Sequence, residues 1–109
     1  ILIMGLTFKE NCADTRNSGI GKVISELKKF DCNLSLYDPW ADHNEIKKKY
    51  DIKPLLKLDK KKHDVVLIAV AHNKFKKMGI KAILNLCKKE HIIFDLKNLF
   101  NSKKVNLRL

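Results

Sequence analysis

The sequence predicts an α/β fold: a three-layer, Rossmann-like domain with a mostly parallel sheet flanked by helices. Three observations carry this. Short apolar runs alternate with segments of helical spacing, as βαβ units require. The clearest run, Asp64 to Ala71, is apolar on both faces, as a central parallel strand must be. Polar clusters follow the strands, and sheets of this kind bind ligands beyond their carboxyl ends.

Residues 1–7 read as a buried strand, with Gly5 allowing close backbone packing at its end. Residues 8–16 form a polar loop holding Lys9, Asp14 and Arg16. Residues 17–31 read as a helix capped by Asn17 or Ser18, with Ile20, Val23, Ile24, Leu27 and Phe30 on one stripe. Gly19 and Gly21 weaken its first turn and suit close approach of another element or a ligand. Residues 33–37 alternate as a second strand, which Asp38-Pro39-Trp40 ends. Residues 43–50 suit a short, Lys-rich helix capped by Asp42. For 52–58 the expectation is a short strand plus a helical turn, since Pro54 disfavours a central strand. Residues 64–71 are the central strand, 79–89 a helix with Ile80, Ile83, Leu84 and Cys87 inward, and 91–95 a further strand. The tail from 99 to 109 shows apolar docking and no assignable element.

The 109 residues fit one domain, and 45% hydrophobic content is enough for a core. Ile1 opens inside a strand-like run without an initiator Met, so the chain reads as a fragment. No 18-residue apolar run and no secretory signal are present. Three scattered cysteines, Cys12, Cys32 and Cys87, suit a reduced, cytoplasmic setting and neither a disulfide framework nor a metal site. The net charge of +11 raises a basic nucleic-acid-binding module as a rival reading. Against it, the charge is almost all Lys, on expected solvent faces and without interleaved aromatic stacking platforms.

The first sixteen residues combine a strand, a cationic loop and a helix N-terminus, which together suit an anion. Lys9 sits at the strand exit. Arg16 is one of only two arginines, and a guanidinium grips phosphate or carboxylate with two parallel bonds. The alternative is a structural pair with Asp14. Cys12 beside this loop lacks a nearby His, so it reads as inert. His72 reads as a hydrogen-bonded loop histidine ahead of a base or ligand contact. Asp38 is placed like a ribose-binding acid, but the Gly-x-Gly-x-x-Gly fingerprint is absent. Gly19 to Val23 is not a P-loop, because position 16 is Arg and position 23 is Val. The residues alone thus predict an anion-binding α/β module without visible catalytic machinery. A stand-alone flavodoxin-like interaction or receiver domain is a further alternative, disfavoured by the mid-strand start and the Lys9-to-Arg16 loop.

Gly5 to Asn17 (Gly-Leu-Thr-Phe-Lys-Glu-Asn-Cys-Ala-Asp-Thr-Arg-Asn), Tyr37 to Trp40 (Tyr-Asp-Pro-Trp) and Asp64 to His72 follow in an informative order. Over essentially its whole length the chain resembles the C-terminal, UDP-binding domain of the UDP-glucose/GDP-mannose dehydrogenase family. Within it, the likeness is greatest to bacterial UDP-N-acetylhexosamine 6-dehydrogenases of surface-polysaccharide synthesis. The resemblance implies that residues 1–109 hold a UDP-sugar, while N-terminal NAD-binding and central dimerisation domains lie elsewhere in a cytoplasmic homodimer. It implies oxidation of a C6 alcohol to a carboxylate, with a catalytic cysteine upstream and no catalytic residue, metal or nucleic-acid partner in this chain. Phe8 and Lys9 match the substrate-contacting pair. Arg16 matches an arginine that reaches NAD, and Lys97 matches the basic residue of a late Asp-x-Arg/Lys element. Lys97 stands where many members have Arg, and Ala13 where Pro is usual.

Overall fold

Leu2, Ile3 and Met4 are all completely buried, because their strand lies inside the sheet and is covered on both faces. The computed structural model describes residues 1–16, 18–101 and 103–108. Its elements are β1 (Leu2–Met4), α1 (Ile20–Leu27), β2 (Ser35–Tyr37), α2 (His43–Tyr50), β3 (His63–Ile68), α3 (Asn73–Leu84), β4 (Cys87–Asp95) and β5 (Leu107–Arg108). The strand order is β2-β1-β3-β4-β5, and every neighbouring pair is parallel. The three-layer α/β expectation therefore holds.

Alternation along the strands divides the core in two. Leu2, Met4, Val66 and Ile68 pack with Phe75 and Ile83 of α3 on one face. Ile3, Leu36 and Leu67 pack with Ile20 and Ile24 of α1 and Ile46 and Tyr50 of α2 on the other. Burial on both faces is what the unbroken apolar run of β3 requires.

The helices differ in extent from the sequence expectations. α1 is shorter than 17–31 at both ends. Its N-cap is Gly19, with no side-chain cap bond, and Asn17 lies outside the described residues. Ser18 Oγ accepts a long bond from the Ile20 N–H (3.4 Å). Phe30, expected on the buried stripe, lies past the helix end and is 67% exposed. Asp42 does cap α2, accepting from the N–H groups of Asn44 (2.8 Å) and Glu45 (3.2 Å). Residues 52–58 form neither strand nor helix. Ile52 packs on the α1–α2 face, and Leu55 and Leu58 pack on the α3 face. The Leu55 N–H donates to Leu36 O (2.8 Å), so this segment carries the chain round the β2 edge.

α3 is the largest correction. It begins at Asn73, not 79, and kinks at Gly79 (φ 78°, ψ 164°). A Lys-rich first half and an internal glycine hid it, since only Phe75 there is fully buried. Leu84, expected inward, is 37% exposed, and Cys87 is the first residue of β4, paired with His63. The apolar spacing from Ile83 to Cys87 mimics a helix but spans a turn into a strand. β5, unassigned from sequence, pairs Leu107 with Phe94 and Arg108 with Asp95.

The Tyr50 hydroxyl is buried beside Gly21 and has no hydrogen-bond partner among the described residues. Burial accordingly pushes its phenol pKa up. An unpaired buried hydroxyl is a cost that phenylalanine lacks. Tyr50→Phe should leave stability unchanged or raise it by up to about 1 kcal/mol in a urea titration. A loss above that size would mean the hydroxyl is paired.

Candidate nucleotide site at the strand carboxyl ends

The chain leaves β1 for β2 on one side and later places β3 on the other. The carboxyl ends of β1 and β3 therefore flank a topological switch point, where a crevice opens in such sheets. Gly5 begins the exit from β1 with φ +102°, and its N–H donates to Tyr37 O (2.9 Å). A side chain there would meet Val70 Cβ at 2.6 Å and Val70 N at 2.7 Å, so only glycine fits.

Asp38, just past β2, is 1% exposed and organises this end of the sheet. Its Oδ2 accepts from the Leu6 N–H (2.6 Å) and His72 Nε2 (3.0 Å). Its Oδ1 accepts from the N–H groups of Trp40 (2.7 Å) and Ala41 (3.1 Å). Burial works to raise the Asp38 pKa, but His72 and the backbone N–H groups of Leu6 and Trp40 outweigh it and hold the carboxyl below its ordinary value. The acid placed like a ribose ligand is thus an internal hub.

His72, fully buried, is the hydrogen-bonded loop histidine expected from sequence, but its partners were not foreseen. Nδ1 accepts from the Asn11 N–H (2.9 Å), which puts the ring proton on Nε2 facing Asp38. Thr7 Oγ1 lies 3.3 Å from Nε2 and donates to Lys9 O (2.9 Å). Asp95, also buried, shapes a second turn: its carboxylate accepts from the N–H groups of Lys97 (3.3 Å) and Phe100 (2.8 Å).

Between these turns lies a pocket of about 240 Å³. Thr7 and Phe8 line it from the β1 exit, Ala69 and Val70 from the β3 exit, Leu96 and Lys97 from the β4 exit, and Ser18 to Ile20 from the mouth of α1. The positive end of the α1 dipole favours an anion, while its first N–H groups, those of Ile20, Gly21 and Lys22, make long bonds of 3.3–3.4 Å to Ser18 and Gly19. Lys97 adds a positive charge, and Phe8, 57% exposed, offers an aromatic face. The structure thus brings Phe8 and Lys97 together. Lys9 follows Phe8 on the exposed loop and is outside the pocket lining.

Arg16 sits apart, in an open groove of about 640 Å³ with Asp14, Thr15, Glu45, Lys48 and Lys49. Its Nε and Nη2 donate to the two Asp14 carboxylate oxygens (3.0 and 3.2 Å), so the structural pair considered from sequence does form. Hydrogen bonding to Arg16 lowers the Asp14 pKa. The Arg16 side chain is 85% exposed, and its Nη1 has no partner among the described residues. Cys12 Sγ accepts weakly from the Asp14 N–H (3.5 Å). Among the described residues no group of three or more His, Cys, Asp or Glu side chains is placed to hold a metal. No described helix is long and apolar enough to cross a membrane.

Sequence reasoning missed Thr7 and Asn11 as structural parts of this site and Ser18 as its wall, while Gly19, read as suiting close approach of another element or a ligand, does line the pocket. The first two are recruited by residues more than sixty positions away, which local pattern cannot show.

Known proteins match this architecture. The chain is 38% identical over its full length to UDP-N-acetyl-D-glucosamine 6-dehydrogenase of Salmonella typhi and 39% identical to that of Pseudomonas aeruginosa. It is 40% identical over 105 residues to Protein CapL of Staphylococcus aureus. It spans 26% of the length of the first two and 24% of CapL. Among solved structures, the UDP-N-acetyl-mannosamine dehydrogenase Cap5O of Staphylococcus aureus superposes with a TM-score of 0.73 at 23% identity, over 98% of this chain and 25% of that one. The UDP-D-ManNAc dehydrogenase of Pyrococcus horikoshii gives a TM-score of 0.67 over 93% of this chain and 22% of that one. These structural likenesses bear on the fold. Residues 2–102 match the family model described as the UDP-glucose/GDP-mannose dehydrogenase family, UDP binding domain, and the chain belongs to that family.

Proposed function

We propose that this chain is the C-terminal, nucleotide-sugar-binding domain of an NAD-dependent UDP-N-acetylhexosamine 6-dehydrogenase. The reaction would oxidise a sugar C6 alcohol to a carboxylate for surface-polysaccharide precursors. One observation carries the reading: the pocket that joins Phe8, Lys97 and the α1 mouth lies at the switch-point end of a sheet whose whole sequence matches UDP-sugar dehydrogenases. Phe8 offers a surface for the base, and Lys97 with the positive end of the α1 dipole offers charge for the diphosphate. Lys9, on the adjacent loop, reaches the same ligand from the rim. Holding the nucleotide end remotely supplies binding energy that orients the distant sugar carbon.

NAD supplies the hydride acceptor when bound. Arg16 fits a rim contact to it, because the guanidinium is exposed and keeps Nη1 outward while Asp14 holds the rest. The Gly-x-Gly-x-x-Gly fingerprint is absent, so NAD would be held mainly by another domain. The isolated 109 residues should show no dehydrogenase activity. In the whole enzyme we place the chain in a cytoplasmic homodimer, a setting that three unpaired cysteines suit.

Lys9→Ala in the intact enzyme should weaken UDP-sugar binding by about tenfold or more, the size of one charge-assisted hydrogen bond. Isothermal titration with UDP checks it, with exposed Lys47→Ala as a control. Unchanged affinity in Lys9→Ala and in Phe8→Ala would overturn the site. Titration with an oligonucleotide tests the basic-module rival. Steep salt dependence there, with no response to UDP, would favour that rival.

A further inference from the structure

We propose that His72 is a positioning residue: its Nδ1 tethers the loop carrying Phe8 and Lys9 in the conformation that meets the nucleotide. The inference rests on the binding role given to those two residues above.

The His72 ring holds the loop at its far end, where the Asn11 N–H donates to Nδ1; at the near end Thr7 Oγ1 lies 3.3 Å from Nε2, whose proton faces Asp38. The ring itself is fixed. Phe75 packs edge-on at 5.3 Å between centroids, Trp40 lies at 6.4 Å, and Asp38 holds Nε2. Asn11 adds a reciprocal bond, its Oδ1 accepting from the Asn73 N–H (2.9 Å) at the start of α3. Asn11 takes a left-handed conformation (φ 55°), which asparagine tolerates and which turns the loop back toward β3. Between Thr7 and Asn11, residues 8–10 are exposed, and their backbone is held by the Phe8 N–H donating to Asp14 O (2.7 Å) and by Lys9 O accepting from Thr7, so the Asn11 anchor sets where the loop as a whole sits.

The two ring nitrogens therefore have different jobs. Nε2 belongs to the buried Asp38 hub and serves stability. Nδ1 holds the loop and serves binding. Releasing Nδ1 lowers the fraction of molecules with the loop in place, and apparent affinity falls with that fraction.

The test uses the intact enzyme, UDP as the probe, and calorimetry for both affinity and thermal midpoint. His72→Gln keeps a donor near the Nε2 position and loses the Nδ1 acceptor. It should raise the UDP Kd by about five- to tenfold, the size of one lost hydrogen bond, with a small change in midpoint. His72→Asn keeps an acceptor near the Nδ1 position and loses the Asp38 bond. It should lower the midpoint more and the affinity less. Asn11→Gly accepts the positive φ and keeps the backbone N–H on Nδ1 but removes the reciprocal Asn73 bond from an exposed residue, so it should fold and weaken UDP about threefold, less than His72→Gln. Wild-type affinity in Asn11→Gly and His72→Gln, with Lys9→Ala still weakened, would overturn the tether and leave the site standing. Affinity losses that simply follow the midpoint in both His72 variants would also overturn it. Wild-type affinity in Lys9→Ala as well would instead remove the binding role beneath it.

Discussion

Asp38→Ala should destabilise the domain by about 3–5 kcal/mol, enough to leave much of it unfolded at 37 °C. The substitution removes one buried carboxylate and strands four donors at once: the N–H groups of Leu6, Trp40 and Ala41 and His72 Nε2. Water does not readily replace the carboxylate, because Asp38 is 1% exposed. A buried donor without an acceptor costs far more than an average hydrogen bond contributes. Asp38→Asn should cost less, since its carbonyl oxygen still accepts while its NH₂ opposes a donor. Urea titration of both variants checks the order. A loss under about 1 kcal/mol for the alanine variant would mean the hub contributes little.

The same carboxylate sets a direction for acid stability. Its folded pKa lies below the ordinary aspartate value, so the folded state holds fewer protons on this group than the unfolded state. The contribution is fully present above the unfolded pKa of about 3.9 and is lost as pH falls through the lower folded value. Wild-type stability should therefore fall more steeply with acid below about pH 4 than that of Asp38→Asn. Parallel pH profiles for the two proteins would count against this.

Gly5→Ala should cost about 3–5 kcal/mol, by two mechanisms at one position. The backbone at φ +102° disfavours any side chain. The added methyl would also press on Val70, partly on its backbone nitrogen, in the chain that continues β3. A backbone atom beside a central strand cannot move by a few tenths of an ångström without disturbing the sheet. Gly79→Ala separates the two mechanisms. It has positive φ as well (78°) but nothing within 4 Å of an added methyl, so it should cost about 1–3 kcal/mol, the conformational part alone. Equal losses at the two glycines would show that the Val70 contact is not the deciding feature. Gly5 also turns β1 into the Phe8–Lys9 loop, so any Gly5→Ala protein that folds should bind UDP poorly.

Much of this architecture was legible in advance because it rests on local rules. A strand buried on both faces must be apolar throughout, which marked β1 and β3. An N-cap needs a short acceptor side chain just before the helix, which marked Asp42. The Gly5-to-Asn17 motif identified the family, and Phe8 and Lys97 do share a pocket. Where expectation and structure part, a local rule was overridden. Gly79 hid the first half of α3 behind a kink, and Cys87 kept helical spacing while belonging to β4.

By itself, then, the sequence determined the alternation of strands and helices, the two-faced core and the family, since each depends on periodicity or on a contiguous motif. Only the tertiary structure decided which polar residues meet. Asp38, His72, Thr7 and Asn11 come from three separate strand exits, and the parallel sheet gathers those exits at one end. Buried donors and acceptors must be satisfied there by whatever the topology brings near, so their pairing is a property of the fold and not of spacing.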